Sequence, residues 1–470
     1  MPKQPGSCGS SRAWKIIVLS FIKCSIGAGS FGLPYALSKA GYATGAISII
    51  IMGLISYKTM LLMVHSKTII LDNFLLIPSP PLLGGEEEQD SSRKSFQNLD
   101  RPLSKDIDGG RPQASFDFIH NRGLFIYSTL GEGAAGRKGK VISEFAVFIL
   151  MIGITASYMI FIGSNFTSAL NDLNLDDGGI GRFILIPVLP CLLSLLRTFD
   201  ILAKVASLGI FCVVGALIII FTFGPIESNG GFVDVFDLDA ASMSELPGVL
   251  GVSAFLLAIH PAVMSMAEET DDEEELVSAL GWGCFVVITV NTGLALFGYF
   301  LWGDEVNGYI FCNVNSHGLI TAIKFLLCVE LMCSLPLALR PPIEIAEKLF
   351  NIEGSDGTMG REMKKNVVRV TIVLLSYALT IGVPVFQDLL ELVGGVCGGA
   401  VGFVIPPLCH ARLLLICDDD LLGYNSRWEK SKAIALDFFL TGLGVIVMIW
   451  TMYGSLLKLM APEDGAGDVC

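Results

Sequence analysis

Ile26-Gly27-Ala28-Gly29-Ser30-Phe31-Gly32-Leu33-Pro34 sits inside an apolar run that spans roughly residues 14–38. Such a run is long enough to cross a bilayer core as a helix, which takes roughly 20 residues. Three glycines and a proline within it work against a continuous helix. Glycine loosens the backbone, and proline removes a hydrogen-bond donor. Unwound backbone at membrane depth persists only where it is buried in protein or lines a cavity. There, amides at a half-helix start can hold a carboxylate, and freed carbonyls can hold a cation or an ammonium. Close helix packing through small residues is the competing explanation. The combination GxGxxGLP in a first span favours a site.

The rest of the chain has the same character. Its 470 residues are 52% hydrophobic and only 16% charged, where an average soluble domain carries about 25% charge. Apolar windows recur along the whole length, so a single anchor does not explain them. The reading is eleven spans, at 14–38, 43–65, 141–166, 181–197, 199–223, 245–266, 277–302, 316–340, 366–386, 389–416 and 434–458. They divide the chain into a tail (1–13), spans 1–2 (14–66), a loop (67–140), spans 3–5 (141–223), a loop (224–244), spans 6–10 (245–416), a loop (417–433), span 11 (434–458) and a tail (459–470). The 4–5 link, Arg197 to Asp200, is the weakest break.

Lysine and arginine set the orientation. With the N-terminus cytosolic, nearly all of them fall on one side, and only Lys39, Arg182 and Lys458 fall on the other. Segment 78–115, rich in Pro, Gly, Ser and charge, cannot bury enough surface to order itself. It reads as a cytosolic linker, with Ser95 and Ser104 exposed enough for phosphorylation. The net charge of −14 argues against nucleic acid as a partner. The 12 cysteines show no CxxC pair, no metal spacing and no disulfide framework, so neither metal nor cofactor is implied.

A second interruption, Ala258-Ile259-His260-Pro261-Ala262, falls in span 6, five spans after the first. An inverted repeat of two five-helix halves would place it there, with a site at the midplane between the two breaks.

These stretches resemble a known family. Phe255 to Met264, followed by Glu268-Glu269, is similar to the sixth span of sodium-coupled neutral amino-acid transporters, in the amino acid/auxin permease family, which also includes vacuolar amino-acid transporters. Gly27 to Ala36 resembles the family's first span. Gly153-Ile-Thr-Ala-Ser157-Tyr158 resembles its third span, Leu296 to Tyr299 with Gly303 its seventh, and Ser334-Leu-Pro-Leu337 with Pro341 its eighth. The resemblance implies an all-α, LeuT-like fold of two inverted five-helix repeats plus one helix. It also implies amino acids as substrates, in a plasma or vacuolar/lysosomal membrane.

On that reading the substrate carboxylate meets amides of Gly27, Ala28, Gly29 and Ser30. Its amino group meets carbonyls of Ser25 or of Phe255 to Ile259, and Phe255 and Tyr158 cover it. Lys23 stands where the sodium-coupled branch usually has an asparagine that holds sodium together with span 8. The proton-coupled branch commonly has lysine there. An ammonium between span 1 and Ser334 would fill the cation position, which favours H+ over Na+ as coupling ion. Snorkelling of Lys23 to the interface explains it equally well. His260 suits either a proton relay or a structural hydrogen bond.

Other intramembrane charges are weaker candidates. Lys324 and Glu330 read as lying near the outer interface, Glu391 at the start of span 10, and His410 as a solvated or capping residue. The glycines at 394, 395, 398, 399 and 402 read as packing faces, and 268–275 as an acidic cap on span 7. An enzyme is not expected, since neither His260 nor His410 lies in a GxSxG or HExxH setting. An amino-acid sensor without flux remains open beside a carrier.

Overall fold

A computed structural model describes residues 10–75, 127–175, 186–195, 200–227, 231–270, 272–314, 318–352, 359–383, 385–417 and 426–460. The described residues are almost entirely helical. Span 1 comprises α1 (Ser10–Ser25), a 3-10 stretch (Ala28–Gly32) and α2 (Leu33–Ala40). Spans 2 to 5 are α3 (Tyr42–Leu75), α4 (Tyr127–Asp172), α5 (Ile186–Ser194) and α6 (Asp200–Glu227). Span 6 is α7 (Leu246–Leu257) and α8 (His260–Met266). Then come α9 (Glu273–Trp302), α10 (Gly318–Leu349) and α11 (Met359–Gly382). Span 10 is α12 (Phe386–Leu392), two π-helical stretches (Val393–Gly398 and Ala400–Val404) and α13 (Ile405–Ile416), and span 11 is α14 (Arg427–Met460).

Among the described residues, nine helices are long and apolar enough to cross a membrane, or ten when the bent pair of span 1 is included. The expected fourth span is represented by α5, which is too short to count alone. Helix α5 ends at Ser194, and the expected break between spans 4 and 5 lies outside the described residues.

Two packed groups make up the bundle. Spans 1, 2, 6 and 7 pack together through α1, α2, α3, α7 and α9; spans 3, 4, 8 and 9 pack through α4, α5, α10 and α11. Span 10 lies against α3, α4, α7 and α14. Large apolar side chains remain exposed on the outer helices, such as Phe211 and Ile218 on α6 and Phe439, Ile446 and Ile449 on α14. A belt of that kind faces lipid, since water would not tolerate it over several helices.

Local chemistry fixes the helix ends. Asp272 caps α9, its carboxylate accepting from the amides of Glu274 at 3.0 Å and Glu275 at 3.5 Å. Glu273, Glu274 and Glu275 add negative charge where the helix dipole favours it, as expected for the acidic run. Gly41 ends α2 with φ +87°, and a Cβ there would lie 2.6 Å from the Ala240 backbone. The segment before α7 therefore folds directly over the end of α2, where Ser242 N–H donates to Ala40 O.

Two loop boundaries are corrected. The loop expected over 67–140 is helical at both edges, because α3 continues to Leu75 and α4 starts at Tyr127, kinking at Ala135 and Gly136. The first turns of α4 are anchored on span 10: Tyr127 Oη donates to Val401 O at 2.7 Å, and Arg412 Nε donates to Ala134 O at 2.7 Å. The loop expected over 417–433 gives way to helix at Arg427. The insert 78–115, with Ser95 and Ser104, lies outside the described residues. Cys284, Cys328 and Cys409 are buried free thiols, whereas Cys312 is disulfide-bonded.

We refer to the end of the bundle that carries the start of α1, the end of α3 and the start of α14 as the basic end, and to the opposite one as the far end.

Candidate functional site

The break in span 1 is real and local. Ile26 N–H still bonds to Ile22 O at 2.8 Å, then Gly27 turns extended, with φ −159° and ψ −151°. Ser30 N–H returns to Gly27 O at 3.0 Å and starts the 3-10 stretch. The first amides of such a stretch have no partner inside it. Pro34 fits the first turn of α2, where no amide is needed. The two halves meet at 46°. A Cβ at Gly27 would meet nothing within 4 Å, whereas one at Gly29 would lie 2.8 Å from Leu256 Cδ2 and 3.2 Å from the Phe255 ring. Gly27 therefore faces open space, and Gly29 lets span 1 touch span 6.

Span 6 breaks at Ala258 (ψ 39°) and Ile259 (ψ 8°), and Pro261 sits in the first turn of α8. Ser56 of α3 donates to the freed Leu257 carbonyl at 3.1 Å, and Thr59 is hydrogen-bonded to His260 Nε2 at 2.8 Å. His260 is fully buried, edge-on to Phe403 with ring centroids 6.3 Å apart, and a Cβ at Gly402 would come within 3.0 Å of its Cε1. Its contacts are therefore with spans 2 and 10, and it braces the break from behind.

A separate polar cluster lies between spans 1, 5 and 8. Ser334 Oγ donates to Glu330 Oε1 at 2.7 Å, one helical turn away. Lys23 and Tyr158 lie within electrostatic range of this carboxylate. Gly209 of α6 makes the room, since a Cβ there would collide with the Glu330 side chain.

Buried polar atoms without partners gather near the breaks. Among the described residues, Ser25 Oγ, Ser253 Oγ, Asn291 Oδ1 and both amide atoms of Gln387 have none. Ser253 and Asn291 line one small cavity with Leu33, Ile49, Leu256 and Val287, with about 10 Å³ open to a water's centre. That is room for roughly one water. Gln387 Oε1 would be 2.8 Å from a Cβ at Gly32.

The chain matches the family described as "Transmembrane amino acid transporter protein" over residues 10–71 and 118–457. It belongs to that family. Its relatives include "Amino acid transporter ANT1" of Arabidopsis thaliana, 24% identical and covering 96% of this chain and 94% of the relative. "Amino acid transporter AVT3C" of the same plant is 23% identical, over 93% and 88%. "Vacuolar amino acid transporter 3" of Schizosaccharomyces pombe is 22% identical, over 96% of this chain and 58% of the relative. Two solved structures share the fold. Mhp1, in an inward-facing conformation, gives a TM-score of 0.53 at 9% identity, covering 94% of this chain and 88% of that one. MhsT in complex with L-phenylalanine gives 0.51 at 14% identity, covering 96% and 100%. The fold is thus LeuT-like, and the chain is an integral multi-pass membrane protein of a transporter family.

In this transporter-family chain the expected site residues divide. Of the four residues at the span 1 break, Gly29 lies against Phe255 and Leu256, whereas Gly27 faces open space. Ile259 is an unwound residue of span 6, while Ser25 is buried just before the gap. Lys23, Tyr158 and Ser334 gather around Glu330 instead. His260 belongs to neither group. The expectation that Glu330 lies near the outer interface is corrected: it is buried in mid-helix, bonded by Ser334 and packed against Gly209. Lys324 does lie toward the far end, paired with Asp172 at 3.1 Å and Ser168 at 2.8 Å. Glu391 is buried and paired with Lys458 at 2.9 Å, which also reaches Glu245 at 3.3 Å.

Five buried rings cluster around Phe31, within the 3-10 stretch of the span 1 break. Phe31 lies 4.7 Å from Phe311 and 6.4 Å from Phe161 between centroids. Tyr309 stacks on Phe386 at 4.6 Å, and Phe161 touches both at 5.4 and 5.8 Å. Sequence reasoning missed this plug, and it missed Asn291 and Gln387. It also read His410 as a solvated or capping residue, yet His410 is only 2% exposed and bonded to His65 and Asp437.

Proposed function

We propose that the chain is a secondary active transporter of neutral amino acids, working by alternating access and coupled to protons. The observation that carries the reading is the pair of breaks in spans 1 and 6, facing each other with open space at Gly27. The amides of Ala28 and Gly29, the first of the 3-10 stretch, suit a substrate carboxylate, while Gly27 N–H donates to Ser30 Oγ at 3.4 Å. Carbonyls at Ser25 and at the span 6 break suit its ammonium, and Phe255, against Gly29, covers the side chain. The names of the relatives support amino acids as cargo and a vacuolar-type membrane as one setting.

The five-ring plug must part for the far end to open, so the arrangement described is closed there. With the N-terminus cytosolic, the far end faces outside or a lumen. Lys23, one turn before the span 1 break and within electrostatic reach of Glu330, supports a tethered ammonium in place of sodium. Protonation of Glu330 would then release Lys23 and link a proton to movement of span 1 against span 8. A sensor that binds without flux would use the same breaks.

Uptake of a radiolabelled amino-acid panel by the purified chain in proteoliposomes tests this. A pH gradient should drive accumulation of neutral amino acids, and sodium should not. Saturable binding with no flux under either gradient would overturn the carrier reading and support the sensor.

A further inference from the structure

The basic end holds a buried relay that the substrate reading does not use. Three side chains from three spans lie in one line. Asp437 Oδ2 of α14 is 2.6 Å from His410 Nδ1 of α13, and His410 Nε2 is 2.9 Å from His65 Nδ1 of α3. The two imidazole rings are 5.0 Å apart between centroids. Asp437 is 1% exposed and His410 2%, while His65 is half-buried.

Proton arithmetic along this line is tightly constrained. An aspartate so buried needs a compensating donor, and His410 Nδ1–H supplies it. His410 Nε2 and His65 Nδ1 then share a single proton. With that proton on His65, both rings are neutral and the triad carries one negative charge. A further proton can enter at His65 Nε2, the ring nitrogen outside the chain of bonds. The shared proton then moves to His410 Nε2, and the positive charge appears on the ring next to Asp437. Both hydrogen bonds survive, and the triad becomes neutral overall. A second added proton would place N–H against N–H and break the His65–His410 bond.

We infer that His65, His410 and Asp437 form a proton-binding site that takes one proton from the water at the basic end and ties span 2 to spans 10 and 11. The other charges acting on His65 are Glu273 of α9, held by Thr68 Oγ1 at 3.0 Å, and Lys58 of its own helix. Arg412, two residues beyond His410, is bonded to Ala134 O and does not compete. The loaded state has charge-assisted bonds on both sides of His410, which are the stronger kind. Protonation therefore tightens the clamp between the group that carries the breaks and span 10, until a second proton forces it open.

The chain has only 5 histidines, so NMR of the full-length protein labelled with 15N-histidine, in detergent, can resolve this pair. Titration from pH 9 to pH 4 should show His65 and His410 responding together to the first proton and apart to the second. Asp437→Asn should weaken binding of the first proton by about tenfold or more, one pH unit in midpoint. His410→Gln, which keeps a polar side chain of similar reach, should shift the His65 midpoint by a comparable amount. Independent titration of the two rings, or a His65 midpoint unchanged in His410→Gln, would overturn the inference. The readout needs no flux, so its failure is separate from failure of the transport reading.

Discussion

Two glycine-rich stretches lie on either side of span 6, and they do opposite things. At 27–32 the backbone leaves α-helical geometry, extended at Gly27 and 3-10 beyond it, and Gly27 looks onto open space. At 393–404 the backbone stays wound, in wider π turns, and the space is filled. A Cβ at Gly394 would strike the Gly251 carbonyl and Phe255, one at Gly395 would strike Thr451, and one at Gly398 would come 3.0 Å from Ala254 O. The first stretch exposes backbone polar groups, and the second hides them by close approach. Glycine content alone does not distinguish a ligand site from a packing seam; what the missing side chain would have touched does. Gly29 belongs with the second kind, although it sits in the first stretch.

The largest effect is expected at the seam. Gly394→Val should prevent folding, because the collision is with backbone on a neighbouring helix rather than a flexible side chain. A monodisperse, wild-type-like melting profile in detergent would break the comparison. Gly29→Val should come next. It must displace Leu256 and Phe255, an overpacking cost of about 1–3 kcal/mol, so both melting temperature and uptake should fall. Loss of uptake with unchanged melting would instead place Gly29 with the ligand-facing residues. Gly27→Ala should leave stability within about 1 kcal/mol, as a side chain added in open space usually does. Its apparent affinity should still fall by about tenfold, roughly 1.4 kcal/mol of binding, when measured by competition uptake. Glu330→Gln should have the smallest effect on stability, and should flatten the pH dependence of uptake while leaving the order of preferred amino acids unchanged. A pH profile like that of the wild type would remove Glu330 from coupling.

The breaks were readable because their cause is local: GxGxxGLP and His260-Pro261 disrupt a helix wherever it packs. The acidic cap on span 7 was readable for the same reason. The seam in span 10 could be expected as packing from its small residues, but neither its π winding nor its neighbours α7 and α14 are written in its local sequence. What escaped notice is long-range. His65 and His410 are far apart in the chain, and nothing near either signals the other. Asp437 offered a faint hint, as a lone acid in the apolar run Ala433 to Leu440. Glu330 was misplaced because depth along a helix was judged by distance from its end. Its surroundings are set by Gly209 on another span. The ends of the 67–140 loop were misjudged because helices that pack on neighbours continue past the apolar run, as Tyr127 and Arg412 show.

The plug of Phe31, Phe161, Tyr309, Phe311 and Phe386 also has a calorimetric consequence. Each ring is at most 2% exposed, so in the proposed transport cycle opening of the far end would bring water against them. Hydrating apolar surface raises heat capacity. A step with a large positive heat-capacity change has an activation enthalpy that varies with temperature. If opening limits turnover, the logarithm of the uptake rate plotted against reciprocal temperature should therefore bend. Replacing Phe311 with leucine, which hydrates less aromatic surface on opening, should straighten it.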